Sequence, residues 1–304
     1  MTSDERIDAV ARFGFTTRQA KFLVTVMRHS GVCLPRQYAA FAGIVYGQKT
    51  RAFFTSLVAR RYASSCPCIH NRALVYHVHH QPLYRAVGEP HSRLRRPVPA
   101  TSVVPRLILL DAVLVSPETI WLAGEAEKVA HFAEVAPAAV ERLSDPAADT
   151  GPAGVVRRFP DHLPIGIDPA GRAVFVYPMT SSSVAQFRVF LRRHAPLFGT
   201  LSAWTLRVVC SAEFEHLLPS CRALVSDEFD SLRTPVGAAL AGGSGRVDFH
   251  VLNHTYRHLF PLVAGLSDLP PGAEEGERVG EHPSARPRPP WATSPIESID
   301  TLNP

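Results

Sequence analysis

The chain has 304 residues, 46% of them hydrophobic, which is enough for two domains with packed cores. It contains no apolar run long enough to cross a membrane. Its five cysteines, an odd number in a long chain, argue against a disulfide framework. The first twelve residues lack the apolar core of a signal peptide, so we expect a cytoplasmic protein.

The formal net charge of +5 is unevenly distributed along the chain. Residues 1–100 contain 15 Lys+Arg and 4 Asp+Glu, a net charge of +11. Residues 101–304 contain 17 Lys+Arg and 23 Asp+Glu, a net charge of −6. A basic module joined to an acidic remainder is typical of a protein that binds a polyanion through its first part.

Three helices are predicted near the N-terminus. The first begins at Thr16 or Thr17, where Gln19 completes a capping box, and ends at Gly31, which suits a left-handed cap. The second covers residues 35–43, and the third covers residues 48–60. A tight, glycine-flanked turn before the last of three short helices predicts a helix-turn-helix.

A two-stranded wing is predicted after the third helix. Residues 62–64 and 73–78 have strand patterns and flank a loop at 66–72. Together with the helices, these strands predict a winged helix-turn-helix domain over residues 1–90. Its third helix would lie in the major groove of DNA.

The polar residues of the third helix and of the wing are the candidate DNA-binding residues. Gln48 can read adenine, while Lys49 and Arg51 can reach guanine or phosphate. The full candidate set is Arg36, Gln48, Lys49, Thr50, Arg51, Thr55, Arg60, Arg61 and Arg72. A second interpretation stays open, in which the three helices form a protein-interaction adaptor and their charges are only solvated.

Cysteine and histidine residues also gather in the predicted wing. They are Cys66, Cys68, His70, His77, His79 and His80. Their Cys-x-Cys-x-His spacing lacks the second Cys-x-x-Cys pair of a zinc site. We therefore assign no metal ligands and no cofactor, and the sequence identifies no small-molecule ligand.

The rest of the chain predicts a Pro/Arg-rich linker at 91–105, an α+β domain at 106–267 and a disordered tail at 268–304. The predicted elements of the α+β domain are helices at 106–115, 125–134, 138–143, 183–198, 213–218 and 239–260, and strands at 120–122, 163–167, 173–177 and 204–210. A type I turn at 168–171 joins two of the strands. The fold class expected for the whole chain is α+β.

The helix-opening motif Thr16-Thr17-Arg18-Gln19-Ala20-Lys21-Phe22-Leu23 in a winged helix, followed by an α+β domain with Pro160-Asp161, resembles the replication-relaxation family of bacterial plasmids and integrative elements. The resemblance covers about residues 13–210. It implies a double-stranded DNA-binding regulator, or a replication or transfer accessory protein, of a mobile element. The second domain would then serve for homodimer formation or for binding another partner.

The same resemblance implies a restriction-endonuclease-like second domain. In that pattern a Pro-Asp pair lies at the start of a hairpin, and an acidic residue follows on the next strand. Pro160-Asp161 matches the first part, but residues 174–178 contain no carboxylate. Because Mg²⁺ is held by clustered carboxylates, we expect no catalytic residues here. The alternative is a divergent Mg²⁺-dependent nuclease centred on Asp161 and Asp168.

Overall fold

A computed structural model describes residues 1–67, 74–143, 159–230 and 244–252, with His254 and Tyr256. It confirms the α+β class. Contacts along the backbone divide these residues into two compact units, unit 1 up to Leu107 and unit 2 from Ile108 to Tyr256. The tail predicted at 268–304 lies outside the described residues.

Unit 1 contains the predicted helices and wing. Its elements in chain order are α1 Ser3–Ala11, α2 Thr17–His29, β1 Val32–Cys33, α3 Pro35–Ala42, α4 Gln48–Ala59, β2 Ala63–Pro67, β3 Leu74–Val78 and α5 Gln81–Ala86, then short 3-10 helices at Arg93–Arg95 and Ala100–Ser102. Helix α6, Val103–Leu114, contains the division between the units. The three predicted helices correspond to α2, α3 and α4.

The sheet of unit 1 has the strand order β1-β3-β2, and both pairs are antiparallel. The order α2-β1-α3-α4-β2-β3, with β1 added to the hairpin, is the arrangement of a winged helix. Aromatic rings fill the space between helices and sheet. The ring centroids of Tyr38 and Phe53 are 4.5 Å apart, and those of Phe54 and Tyr76 are 4.4 Å apart.

Helix α1 was not predicted, although its start has a clear sequence signal. Thr2 and Glu5 form a capping box in which each side chain accepts the other's backbone N–H. Ile7 and Val10 are buried, and Arg6 Nε donates to the Val87 carbonyl at 3.2 Å. Helix α1 is therefore part of the packed core of unit 1.

The linker predicted at 91–105 is corrected by the structure, because this segment packs into unit 1. Leu94 is 6% exposed and Val98 is fully buried, while the two arginines and one proline between them lie nearer the surface. The Leu94 carbonyl is 3.0 Å from His77 Nε2 in strand β3. The apolar residues of the segment decide its packing, whereas its proline and arginine content suggested a connector.

Gly31 links α2 to β1 with a φ of +75°, the left-handed conformation predicted for it. A Cβ atom at this position would lie 2.5 Å from the Leu94 carbonyl oxygen. We expect Gly31→Ala to lower the free energy of unfolding of unit 1 by roughly 2–3 kcal/mol, from backbone strain plus this collision.

Gly43 is the matched control, since its φ is +61° but a Cβ there would contact nothing within 4 Å. We expect Gly43→Ala to lower the free energy of unfolding of unit 1 by only about 1 kcal/mol, from backbone strain alone. Denaturant unfolding followed by circular dichroism measures both variants. Equal losses would contradict the collision with Leu94.

Unit 2 is built on a five-stranded sheet. Its elements after α6 are β4 Ile120–Leu122, α7 Glu125–Val135, α8 Pro137–Arg142, β5 Ile165–Ile167, β6 Ala173–Met179, α9 Ala185–Phe198, β7 Ala203–Ser211, a 3-10 helix Ala212–Leu217, α10 Leu218–Asp230 and β8 Ser244–Leu252. The strand order is β4-β5-β6-β7-β8; β4, β5 and β6 pair antiparallel, and β6, β7 and β8 pair parallel. The core includes Trp204, whose ring stacks on Phe198 with centroids 4.2 Å apart.

The helix predicted at 239–260 is wrong, because residues 244–252 form strand β8. Val247, Phe249 and Val251 alternate with polar residues and pack against the core, which is the period of a strand. Each residue of β8 is paired with β7 in parallel register, from Ala203↔Ser244 to Ser211↔Leu252. Helix α10 was also not predicted.

Candidate nucleic-acid interface

Helix α4 has one buried face and one exposed face. Thr50, Phe53, Phe54 and Leu57 recur at helical spacing and are at most 4% exposed. The exposed positions are Gln48, Lys49, Arg51, Ala52, Thr55, Ala59 and Arg60. The exposed face is therefore polar and cationic near the start of the helix, and it contains the small side chains of two alanines.

Most of the predicted DNA-binding residues lie on the surface of unit 1. Gln48, Lys49, Arg51 and Thr55 are exposed on α4, and Arg61, two residues after the end of the helix, is exposed as well. Arg36 is half-buried in the first turn of α3. Arg72 lies outside the described residues.

Thr50 is a correction to the predicted site. Its side chain is fully buried on the same face as Phe53 and Leu57, so it has no surface to offer a ligand. The signal was present in the sequence, because Thr50 precedes Phe53 by three positions and Leu57 by seven.

Arg60 is exposed, but its guanidinium is bound within the protein. Nη2 donates to the Phe13 carbonyl and, at 2.8 Å, to Tyr62 Oη. The guanidinium also lies over the Tyr62 ring, 4.5 Å from its centroid, and over the Phe15 ring at 5.3 Å. These contacts give Arg60 a structural role that joins the end of α4 to the α1–α2 loop.

Acidic residues are missing from a long stretch of unit 1. Residues 9–88 contain eleven arginines and lysines and no aspartate or glutamate. Because no carboxylate occurs in this stretch, the cations of α4 have no acidic neighbour along α2, α3 or the wing strands. Residues 9–88 therefore contribute only positive formal charge to the surface of unit 1.

A groove of about 780 Å³ runs beside α4 and was not predicted. Its lining includes the aromatic rings of Phe15 and Phe53 and the cationic side chains of Arg18 and Lys49. Arg18 Nη1 donates to the Ala42 carbonyl at 3.0 Å. Arg18 therefore adds a positive charge to the surface at the first turn of α2.

The histidines of the wing are held by packing. His77 is 3% exposed and Nε2 is 3.0 Å from the Leu94 carbonyl, while burial lowers its pKa to about 4. Burial also raises the pKa of the Cys66 thiol. Among the described residues, no group of three or more His, Cys, Asp or Glu side chains could hold a metal ion. Cys68 and His70 fall outside them.

In unit 2, Asp161 is held by several protein donors. Oδ1 accepts the Leu163 N–H at 2.8 Å, and Oδ2 is 3.2 Å from His194 Nε2. Burial raises the pKa of Asp161, but the hydrogen bonds from His194 and Leu163, with the charges of His194 and Lys128, bring it below its ordinary value. Lys128 is 2% exposed and donates to the Leu163 carbonyl at 2.6 Å.

Asp168 forms the predicted turn between β5 and β6. Oδ1 accepts the N–H groups of Ala170 and Arg172, each at 2.9 Å, and Oδ2 accepts Arg172 Nε at 2.8 Å. These contacts give Asp161 and Asp168 structural roles, and the nuclease alternative gains no support from them.

The described helices include none that is both long enough and apolar enough to cross a membrane. No family model, curated protein or solved structure matches the chain. The resemblance to the replication-relaxation family therefore stays a prediction from the sequence.

Proposed function

We propose that unit 1 binds double-stranded DNA with helix α4 in the major groove. The observation that supports this proposal most strongly is the combination of the exposed Gln48, Lys49, Arg51 and Thr55 on one helix with a stretch of eighty residues, 9–88, that contains no carboxylate. The phosphates along a DNA duplex supply the negative charge that such a surface binds, and the major groove is wide enough for one helix.

The side chains of α4 divide into two kinds of contact. Gln48 and Arg51 can form bidentate hydrogen bonds to adenine and guanine edges. Lys49 offers a point charge suited to phosphate. Ala52 and Ala59 are exposed and small, so the helix backbone can approach the floor of the groove.

The biological role proposed from the resemblance is regulation, or a replication or transfer accessory function, on a mobile element. Formation of a homodimer through unit 2 belongs to the same proposal. The adaptor alternative is weaker, because a surface for protein contacts needs no long stretch free of acidic residues.

A salt titration of duplex binding by the full-length chain tests the proposal. Each phosphate contact contributes about −0.9 to the slope of log K against log salt concentration. With about four or five such contacts, we expect a slope of roughly −4 and a loss of affinity of more than a hundredfold between 50 and 200 mM salt. A protein-interaction adaptor would show no duplex binding at 50 mM salt, and that result would reject the proposal.

A further inference from the structure

Two large apolar side chains are exposed in the turn that leads into α4. Val45 is 91% exposed and Tyr46 is 52% exposed. Turns usually contain glycine, asparagine, aspartate or serine at such positions, since an exposed valine gains nothing from water. An apolar group on a partner would give these two side chains a contact that water does not.

The beginning of the turn is fixed to α3 by backbone hydrogen bonds. Gly43 ends α3 in the left-handed conformation, and its N–H donates to the Ala40 carbonyl at 3.2 Å. The next N–H, that of Ile44, donates to the Ala39 carbonyl at 3.0 Å. Val45 directly follows these bonded residues, is exposed, and lies three residues before the start of α4.

Cationic and apolar groups lie side by side at this end of α4. The Arg51 guanidinium is 5.9 Å from the centroid of the Tyr46 ring. Gln48 and Lys49 lie two and three residues after Tyr46. A partner for this surface must offer negative charge, hydrogen-bonding groups and an apolar group within a few ångströms of one another.

The major groove of DNA offers this combination at a thymine, whose C5 methyl group projects into the groove beside base edges and phosphates. We propose that Val45 contacts the C5 methyl of a thymine, so that the preferred site contains a thymine next to the bases read from α4. The Tyr46 ring holds the Arg51 guanidinium at the edge of this contact. The inference rests on the proposed function and adds to it one apolar base contact.

The test removes a single methyl group from the DNA. A preferred duplex is first selected from random sequences with the full-length protein, and each thymine is then replaced, one at a time, by deoxyuridine. We expect one replacement to weaken binding about fourfold, the effect of losing one buried methyl group. In the Val45→Ala variant the same replacement should have no effect.

Val189→Ala is the matched control, because Val189 is 55% exposed on α9 in unit 2. This variant should keep the full sensitivity to deoxyuridine.

The outcomes separate the two proposals. If the wild-type protein binds no duplex, the proposed function fails. If it binds in a salt-dependent manner but selects no preferred sequence, or no deoxyuridine replacement matters, the proposed function stands and the thymine contact is overturned. The contact is also overturned if Val45→Ala keeps the sensitivity, a result expected if Val45 instead contacts a protein partner.

Discussion

The double variant Lys49→Ala, Arg51→Ala should bind its preferred duplex roughly 2–4 kcal/mol more weakly than the wild-type protein, which is about 30- to 1000-fold. Both side chains are exposed on α4, and each would lose a contact to a base edge or a phosphate. Fluorescence anisotropy at a fixed salt concentration measures the loss. An unchanged affinity would reject α4 as the recognition helix.

The single variants assign the two roles. Arg51→Ala should weaken binding most for the preferred sequence and relax the base preference at one position. Lys49→Ala should weaken binding to all sequences alike and make the salt slope less steep by about 1. Identical behaviour of both variants would contradict the division between base and phosphate contacts.

Two threonines on α4 provide a control within one helix. Thr55 is exposed and Thr50 is fully buried. Thr55→Ala should weaken DNA binding without changing the stability of unit 1, while Thr50→Ala should change stability and leave the affinity of the folded protein unaltered.

Arg172→Ala is the control for the loss of one positive charge in Lys49→Ala or Arg51→Ala, because Arg172 lies in the turn of unit 2 where it pairs with Asp168.

The helices of unit 1 could be predicted because local interactions set their ends. At the start of α2, the Thr16 side chain accepts the Gln19 N–H at 3.3 Å, and Gln19 Oε1 accepts the Thr16 N–H at 3.0 Å. At its end, Gly31 adopts the left-handed conformation that its residue type favours. Signals of this kind lie within four residues of one another and need no tertiary structure.

Some of the features that were missed depend on distant partners. Strand β1 has two residues, and only its pairing with β3, as in Val32↔His77, makes it a strand. The role of Arg60 is set in the same way, by Phe13 and Tyr62, whereas the sequence does not distinguish it from Arg51. Long-range contacts of this type leave no local pattern.

Other errors came from signals that the sequence contained. The alternation of polar and apolar residues over 246–251 indicates a strand, and the helix predicted across it ignored that period. The helical phase of Thr50 likewise placed it with Phe53 on the buried face. The structure therefore exposes four of the predicted residues of α4, Gln48, Lys49, Arg51 and Thr55, and buries the fifth, Thr50.

Lowering the pH from 7.5 to 5 should destabilise unit 1 by roughly 4 kcal/mol, because two buried histidines stay neutral in the folded state. Burial, with the charges of Arg28 and Arg6, lowers the pKa of His29 to about 3. Burial lowers the pKa of His77 to about 4, against the opposing effect of the Leu94 carbonyl.

The sign follows from the protons bound in each state. In the unfolded chain both histidines have pKa values near 6.5, so at pH 5 these two residues together bind about two more protons in the unfolded state than in the folded state. The stabilisation is complete above pH 6.5 and is lost as the pH falls below it, at about 2 kcal/mol per histidine by pH 5. Raising the pH above 7.5 should leave this contribution of the two histidines to the free energy of unfolding nearly unchanged.

The measurement must report on unit 1 alone. Residues 1–107 contain no tryptophan, so tryptophan fluorescence does not report directly on their unfolding. Hydrogen exchange of the amides of α2 and β3, corrected for the intrinsic effect of pH on exchange, gives the free energy of opening at each pH. Equal corrected protection at pH 7.5 and pH 5 would contradict the assignment of neutral, buried histidines.

Variants identify the histidines responsible. His29 is 8% exposed, so His29→Leu replaces a buried polar ring by an apolar side chain and should reduce the pH-dependent loss by about half, to roughly 2 kcal/mol. His91 is exposed, and His91→Gln should leave the loss unchanged. Because His77 lies in β3 and contacts the Leu94 carbonyl, the part of the loss that persists in His29→Leu should appear first as faster exchange in β3. A loss that is the same in all three proteins would instead place the titrating groups outside α2.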